Sequence, residues 1–404
     1  MNLLLLCTAY SLEHNHSWLS DSLAEQLALR HKVTVVLLDW SGKHKNNFRV
    51  QKNGVDVLVF STDRKMFLGP AGKIFKWLFA SRLISSSVKK SLADETFDLV
   101  VNFTPALVMH PIYSKLKTKA SRGYLVLWDF FPIYHSELGL IPKCLFLPLK
   151  YLENAAYHGY DRLGLMSGAN VKFLKKNYDL RSSTTAEVLN LWGPNTVLAR
   201  DKDTQYAARL ANDICDELVC VFGGQLIKGR GIGKIIELAI YAKKQGLKAK
   251  FFIFGDGPER EKILNDIVKF DVAEFVIYKG FKPREEYLDF LRCADLGLVF
   301  NSGDVSVPTF PSKAVDYLRS AVPILSFVED ATDFGEILQN EIRAGWSASP
   351  KNESRLFAKF SEAAKMEKHE LLEIGTIGQN WYLENMTVSK IAEQISACVD
   401  SSAQ

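Results

Sequence analysis

The stretch FNSGDVSVPTFPSKAVDYLR, residues 300–319, decides how we interpret the whole chain. An apolar run at 296–300 predicts a buried strand, and a loop with glycine and two prolines follows it. Ser312 stands where a helix N-cap belongs. Backbone N–H groups at that helix start, together with the Lys313 ammonium, would suit a phosphate, and Asp316 could accept hydrogen bonds from sugar hydroxyls. The stretch fits either a nucleotide-sugar site or an ordinary strand–loop–helix unit with a capped helix.

Length and composition predict a soluble protein of two domains. The chain has 404 residues, 47% of them apolar and 24% charged, and one core rarely serves that length. No apolar run approaches the 18 residues of a transmembrane helix. The six cysteines are scattered with no C-x-x-C pair, so we expect reduced thiols in the cytoplasm and neither a disulfide framework nor a zinc site.

Charge divides unevenly along the chain. Residues 1–190 hold 24 Lys and Arg against 15 Asp and Glu, whereas the remaining 214 residues hold 26 against 31. A basic half joined to an acidic half indicates that the first half meets an anionic surface or ligand. Nucleic acid is one such partner, but no recognition motif supports it, and we expect none.

The alternation of short apolar runs with amphipathic stretches predicts parallel sheets covered by helices. We therefore expect an α/β fold of two Rossmann-like domains that face each other across a cleft, the first at 1–192 and the second at 217–387. A polar linker is predicted at 193–216, and a helix near 388–400 could pack back on the first domain. Ligands bind beyond the carboxyl ends of the strands in such sheets.

Three glycine-rich or aromatic segments of the second half follow predicted strands. FGGQLIKGRGIGK (222–234) combines glycines that let a phosphate approach the backbone with the cations Lys228 and Arg230. It is neither a Walker A loop nor a G-x-G-x-x-G fingerprint. FGDGPE (254–259) suits a tight turn before a helix, and YKGF (278–281) ends a strand. Singly, each also fits a structural turn.

The order of GGQLIKGRG, FGDGPE, YKGF and PSKAVDYLRSAVPIL resembles the C-terminal domain of the GT-B-fold, family 4 (group 1) glycosyltransferases, especially those of bacterial surface polysaccharides. In the first half, VLWDFFP (126–132) and LENAAYHGYDRL (152–163) are similar to segments of the same family. The resemblance covers most of the chain. It implies a retaining enzyme that moves a sugar from a nucleotide-sugar to a lipid-linked or saccharide acceptor in O-antigen, capsule or exopolysaccharide synthesis.

The resemblance also implies roles for individual residues. The donor would be bound by the second domain, and Arg230 and Lys313 would stabilise the departing diphosphate. Asp129 would lie at the cleft face of the first domain, where it could touch the donor or the acceptor hydroxyl. His16 and His135 are weaker acceptor-side candidates. The donor-binding set is Gly224, Lys228, Arg230, Gly255, Phe281, Ser312, Lys313 and Asp316.

Three positions depart from the family pattern. Pro308 stands where many relatives carry a glutamate, Gln225 replaces an arginine, and the first loop (11–16) lacks the usual glycines. These departures leave open a nucleotide-sugar 2-epimerase of the same fold, or a non-catalytic homologue that acts as a binding protein.

No metal or other cofactor is expected. The D-x-D motif of the other glycosyltransferase fold occurs only at 201–203, in the predicted linker, where we interpret it as solvated charge.

A basic, aromatic-rich stretch predicts contact with an anionic membrane surface. Residues 64–93 hold seven Lys and Arg and no Asp or Glu, interleaved with large apolar side chains. PKCLFLPLK (142–150) adds apolar surface. The alternative is a domain helix with an apolar core face and solvated lysines. We favour a protein that is peripheral on the inner face of the cell membrane.

Overall fold

The computed structural model describes residues 1–13, 18–62, 69–200, 202–301 and 305–400. These residues divide into two compact units. The first unit comprises Met1–Trp192 and the segment that begins at Val388, and the second comprises Gly193–Thr387. Each unit is an α/β layer structure around a predominantly parallel sheet, as the alternating sequence pattern predicts.

The first unit holds an eight-stranded sheet in the order β3-β4-β2-β1-β5-β6-β7-β8, in which only β3 runs antiparallel to its neighbour. Its strands are β1 (Asn2–Cys7), β2 (Lys32–Asp39), β3 (Phe48–Lys52), β4 (Val55–Ser61), β5 (Phe97–Phe103), β6 (Ala120–Leu127), β7 (Arg162–Leu165) and β8 (Thr185–Val188). Its helices are α1 (Leu19–Ala28), α2 (Gly69–Ser91), α3 (Ala106–Leu116), α4 (Ile133–Glu137), α5 (Lys143–Tyr157) and α6 (Gly168–Asn177), with a 3-10 turn at Lys117–Lys119.

The edge strand β3 is absent from the sequence prediction. It pairs with β4 through a two-residue turn in which Asn53 and Gly54 both have positive φ, 49° and 80°. An Asn-Gly pair between two extended runs is a strong hairpin signal, so the turn was readable. The strand itself is FRVQK, four of whose five residues are exposed, and it therefore lacks the continuous apolar run that marks the buried strands.

The second unit holds a six-stranded, all-parallel sheet in the order β11-β10-β9-β12-β13-β14. Its strands are β9 (Leu218–Gly223), β10 (Ala249–Phe254), β11 (Val276–Gly280), β12 (Leu296–Phe300), β13 (Ile324–Phe327) and β14 (Gly345–Ala348). Its helices are α7 (Lys202–Leu210), α8 (Gly233–Gln245), α9 (Arg260–Lys269), α10 (Arg284–Phe290), α11 (Lys313–Arg319), α12 (Phe334–Glu336), α13 (Ser354–Ala364) and α14 (Lys368–Asn385), with 3-10 turns at Leu291–Cys293 and Pro350–Asn352 and a π-helical segment at Ile337–Ile342.

The segment predicted as a linker, 193–216, is packed into the second unit instead. Asp295, which is 1% exposed, lies at the amino end of β12. The segment packs against it because a buried carboxylate needs compensating charge. Arg209 of α7 lies 2.9 Å from it, and Lys368 of α14 lies 2.6 Å away. Arg200 caps nearby backbone carbonyls, one of them Ala321 at 2.7 Å. The polar composition reflects this buried network.

The last helix, α15 (Val388–Asp400), belongs to the first unit, where it packs against α1. Its apolar residues recur every three or four positions and join the core beneath β1 and β2, as Ile391 and Ile395 do. The two units are therefore not consecutive in the chain. Among the described residues, no helix is both long enough and apolar enough to span a bilayer.

A buried carboxyl holds the loop that follows β5. Glu153 of α5 is completely buried and accepts hydrogen bonds from the backbone N–H groups of Ala106 and Leu107, both at 2.9 Å, at the start of α3. Burial raises the pKa of Glu153 from 4.5 to about 7, and the two backbone bonds only partly oppose the rise.

This pKa predicts a pH-dependent stability. Below pH 4.5 the carboxyl is protonated in both the folded and the unfolded chain. As the pH rises towards 7, the unfolded chain loses the proton while the folded chain keeps it, and the free energy of unfolding falls by roughly 2–3 kcal/mol. Glu153→Gln keeps an acceptor oxygen and cannot ionise, so its unfolding free energy should change less between pH 5 and 8. Urea titrations at several pH values measure this, and equal pH profiles for both proteins would contradict it.

Candidate functional site

Four loops of the second unit meet the carboxyl edge of its sheet. They follow β9, β10, β12 and β13, and β9 lies between β10 and β12. In parallel sheets this edge is where ligands bind, because loops and helix starts converge there. Three of the four loops contain the segments that the sequence singled out.

The loops after β9 and β10 touch through their glycines. The backbone N–H of Gly224 donates to the carbonyl of Phe254 at 3.0 Å. A Cβ on Gly255, whose φ is +126°, would lie 1.9 Å from the carbonyl oxygen of Gly224, and one on Gly257 would lie 2.4 Å from that of Leu226. Only glycine permits so close an approach of two backbones. The two motifs thus form one surface.

Lys313 reaches this surface from the first residue of α11. Its Nζ lies 3.8 Å from the centroid of the Phe222 ring and 3.5 Å from the position that a Cβ on Gly224 would occupy. The Nζ is buried and has no hydrogen-bond partner among the described residues. Burial, together with the weaker effect of the nearby Arg230 cation, lowers the pKa of Lys313 to about 7. An ammonium in this position favours an anion.

The loop between β9 and α8 supplies two more cations. Arg230 is half-buried and close enough to Lys313 to disfavour its charge, whereas the Lys228 side chain is exposed. Lys313, Arg230 and the backbone of Gly224 therefore lie together, as the sequence predicted for a phosphate site.

Asp316 is buried one turn into α11 and has a partner that the sequence analysis missed. The guanidinium of Arg284 donates to both of its carboxylate oxygens, at 2.6 Å and 3.2 Å. Arg284 opens α10, immediately after the YKGF segment, so the pair ties the β11 loop to α11. An acid and an arginine 32 residues apart carry no periodicity that would link them in sequence.

Ser312 precedes α11 but does not cap it, contrary to the prediction. Its backbone is helical, with φ −58° and ψ −27°, and its side chain makes no capping hydrogen bond. An N-cap residue needs an extended backbone to turn its oxygen towards the helix. Ser312 is exposed beside Lys313. Phe281, which the sequence analysis also assigned to donor binding, follows β11 and is 76% exposed.

The first unit places its two described candidates after β6. Asp129 is exposed on the loop. His135, on α4, packs edge-on against Trp77 and Phe131, with ring centroids 5.5 Å and 5.3 Å away. Burial lowers the pKa of His135, and the charge of Asp129 opposes this. The ring thus contacts aromatic side chains, while its Nδ1 is buried without a hydrogen-bond partner among the described residues. His16 lies outside the described residues.

The structure adds three polar residues that the sequence analysis did not select. Asn301 follows β12, Thr309 lies in the loop before α11, and Glu329 follows β13. The Asn301 amide donates to Thr309 Oγ1 at 2.9 Å, and Thr309 Oγ1 donates to Glu329 Oε1. The sequence signal that could have identified Glu329 is a carboxylate two residues after a buried strand. Among the described residues, no group of three or more His, Cys, Asp or Glu side chains could hold a metal ion.

Comparison with known proteins connects this site to a family. Residues 211–376 match the sequence model of the glycosyl transferases group 1. The putative colanic acid biosynthesis glycosyltransferase WcaL of Escherichia coli K12 is 23% identical over 157 residues, which cover 38% of this chain and 38% of WcaL. The chain thus matches well under half the length of this relative.

Solved structures match over nearly the whole chain. Sucrose-phosphate synthase of Thermosynechococcus elongatus superposes with a TM-score of 0.72 at 12% identity, covering 99% of this chain and 98% of that one. HepE of Anabaena in complex with UDP gives 0.70 at 14% identity, covering 99% and 100%. Such likeness shows the fold, and the predicted GT-B fold class is confirmed.

The contact between Gly255 and Gly224 predicts a severe effect of one methyl group. Gly255→Ala would place its Cβ against the Gly224 carbonyl at a φ that L-residues rarely adopt, so the two loops must separate. We expect a loss of at least about 2 kcal/mol in stability, measured by chemical denaturation. Gly233→Ala is the matched control, because nothing lies within 4 Å of its Cβ position at the start of α8. Equal stability of the two variants would refute the close packing.

Proposed function

We propose that this chain, whose residues 211–376 match the model of the group 1 glycosyltransferases, is such an enzyme and moves a sugar from a nucleotide-diphosphate sugar to an acceptor. One observation carries the proposal: the buried ammonium of Lys313 has no anionic partner among the described residues. A diphosphate beside Gly224 would supply the missing negative charge. Burial of an uncompensated cation is otherwise unfavourable, because the interior solvates charge poorly.

Cleavage of the bond between sugar and diphosphate places negative charge on the departing diphosphate. Lys313 and Arg230 stabilise that charge, and the close backbone at Gly224 lets the phosphate oxygens approach. Stabilisation is stronger in a buried site than in water, since the effective dielectric constant is lower. These two cations are the groups we place in the catalytic machinery, and a role of Asp129 towards a donor or acceptor hydroxyl stays a prediction from the sequence.

The nucleoside binds on the β11 side of the same edge. HepE was crystallised with UDP, which makes UDP the first nucleotide to test. Asp316 has free lone pairs besides those that accept from Arg284, so its carboxylate can accept hydrogen bonds from ribose hydroxyls while it keeps the arginine. The backbone near Phe281 contacts the base. We further propose a retaining reaction that needs no metal, since Lys313 and Arg230 provide positive charge where a metal ion would.

Lys313→Met separates a functional lysine from a structural one. Loss of the cation should lower kcat/KM for transfer by about 10²- to 10³-fold. The unliganded protein should become no less stable, because methionine removes a buried unpaired charge and keeps the volume. A donor–acceptor assay in EDTA and a thermal melt measure the two effects.

Lys244→Met, which alters an exposed lysine at the end of α8, is the control and should change neither kcat/KM nor thermal stability.

Proton linkage provides a second test of the Lys313 site. Because the pKa of free Lys313 is about 7, binding of UDP or GDP should take up nearly one proton at pH 8 and almost none at pH 6. Calorimetry in two buffers measures it. Full activity of the methionine variant, or activity abolished by EDTA, would contradict the respective proposal.

We propose that the acceptor is lipid-linked and that the first unit rests on an anionic membrane surface at the cytoplasmic side. Exposed apolar side chains follow helical spacing on α2, at Phe75, Phe79 and Leu83, and Arg82 lies over the Phe79 ring. On α5, Leu147 and Tyr151 are 71% and 74% exposed. Both helices contact the same small core through Trp77, Leu145 and neighbours. Basic residues beside exposed aromatic and aliphatic groups fit a bilayer interface.

The wider role we propose is synthesis of a bacterial surface polysaccharide. WcaL is named for the biosynthesis of colanic acid, an assignment that supports this role by similarity.

Removal of two exposed leucines tests the membrane surface. The double variant Leu83→Ser and Leu147→Ser should lower partitioning onto phosphatidylglycerol vesicles by at least about tenfold, because each leucine loses its transfer free energy. Vesicle flotation measures it. Leu29→Ser, which alters a leucine that is 74% exposed at the end of α1, should leave partitioning unchanged. Equal binding to phosphatidylcholine vesicles, or equal losses in both variants, would refute this surface.

A further inference from the structure

Glu329 is a buried acid with one unused oxygen. Its side chain lies two residues beyond β13 and is 5% exposed. Oε1 accepts the hydroxyl of Thr309, whereas Oε2 is buried without a hydrogen-bond partner among the described residues. Leaving a buried acceptor unpaired costs free energy comparable to a lost hydrogen bond. A ligand that donates there would recover that free energy.

The surrounding loop is built to hold the acid in place. Thr309 receives a hydrogen bond from Asn301, and its carbonyl accepts from the Thr332 hydroxyl at 2.5 Å. Phe310 packs edge-on against Phe334, with ring centroids 5.2 Å apart. The same loop continues directly into Lys313. The position of Glu329 is therefore fixed relative to the anion site.

Burial raises the pKa of the Glu329 carboxyl above its ordinary value, and the hydrogen bond from the Thr309 hydroxyl opposes the rise. The described structure gives the carboxylate no cation, unlike Asp295 or Asp316. Hydroxyl donors stabilise a carboxylate without neutralising it, and sugars present several. A sugar hydroxyl can therefore fill the unused oxygen by donating a hydrogen bond to it.

Distance along the sheet favours the transferred sugar as the donor of that hydrogen bond. Lys313 covers the end of β9, Glu329 follows β13, and β12 lies between the two strands. Adjacent strands are about 4.8 Å apart, so the ends of β9 and β13, near which Lys313 and Glu329 lie, are about 10 Å apart. A hexose bonded to the diphosphate has its ring hydroxyls within that range. Pro308, beside Thr309 in the loop, offers no side-chain donor or acceptor for them.

We propose that Glu329 Oε2 accepts a hydrogen bond from a ring hydroxyl of the transferred sugar and so sets the specificity of the enzyme for its donor. The inference rests on the proposed nucleotide-sugar site. It assigns recognition of the sugar to an acid outside the PSKAVDYLR segment. Donors that lack the contacted hydroxyl are poor substrates, because the buried oxygen then stays unpaired.

Glu329→Gln tests the assignment with little change in shape. Its amide oxygen can still accept from Thr309, while the amide NH₂ replaces the free acceptor. We measure dissociation constants by calorimetry for UDP and UDP-glucose, and for GDP and GDP-mannose. The variant should bind the nucleoside diphosphate as the wild type does, within about twofold, and the nucleotide-sugar about tenfold more weakly. Equal weakening of both ligands, or of neither, overturns the proposal.

Thr309→Val is the matched control for the alternative that Glu329 only holds the loop in place. It removes the hydroxyl that joins the loop to Glu329 but leaves the free oxygen. We expect no selective loss of nucleotide-sugar affinity, and a selective loss equal to that of Glu329→Gln overturns the proposal. Failure of the wild type to bind any nucleoside diphosphate refutes the proposed function and this inference with it. If the wild type binds the nucleoside diphosphate but Glu329→Gln does not selectively weaken binding of the nucleotide-sugar, only the inference about Glu329 is refuted.

Discussion

A buried ammonium group that has no counter-ion in the described part of the chain is the constraint around which the carboxyl edge of the second sheet is arranged. Lys313 sits against the Phe222 ring, and its pKa falls to about 7 because little water reaches it. The glycines at 224 and 255 bring two backbones close to it, and α11 is fixed by Tyr317, whose hydroxyl donates to the carbonyl of Val221 at 2.9 Å. Among the described residues nothing supplies a negative charge to this ammonium, and our proposal assigns that charge to a diphosphate.

Buried charges are paired at the amino edge of this sheet but not at its carboxyl edge, as far as the described residues show. At the amino edge, Asp295 is matched by Arg209, Lys368 and the backbone N–H of Val219 at 2.8 Å. That network is complete and ties α7 and α14 to the sheet. At the carboxyl edge, Lys313 and one oxygen of Glu329 have no such match among the described residues. Our proposals fill these two unmatched groups with a ligand.

The first unit distributes its polar and apolar groups differently. Glu153 and the aromatic contacts of Trp77 fix α2, α3 and α5 to the loops after β5 and β6, and the outer faces of α2 and α5 keep apolar side chains exposed. His135 packs against the rings of Trp77 and Phe131, and its acceptor-side role stays a prediction from the sequence. Its surroundings come from α2 and from the loop after β6, which no local pattern relates.

The sequence by itself determined the alternation of strands and helices, the glycine positions and the placement of Lys313 at the start of a helix, because these depend on local periodicity and on residues a few positions apart. It missed β3 and gave 193–216 as a linker, whereas this segment belongs to the second unit. An exposed edge strand and a polar segment that serves a buried acid both lack an apolar pattern. The pairing of Arg284 with Asp316, the network around Asp295 and the half-satisfied Glu329 were decided only by the tertiary structure. Each depends on how deeply a charge is buried and on partners 20 to 86 residues away, and burial is a property of the packed sheet and not of any segment.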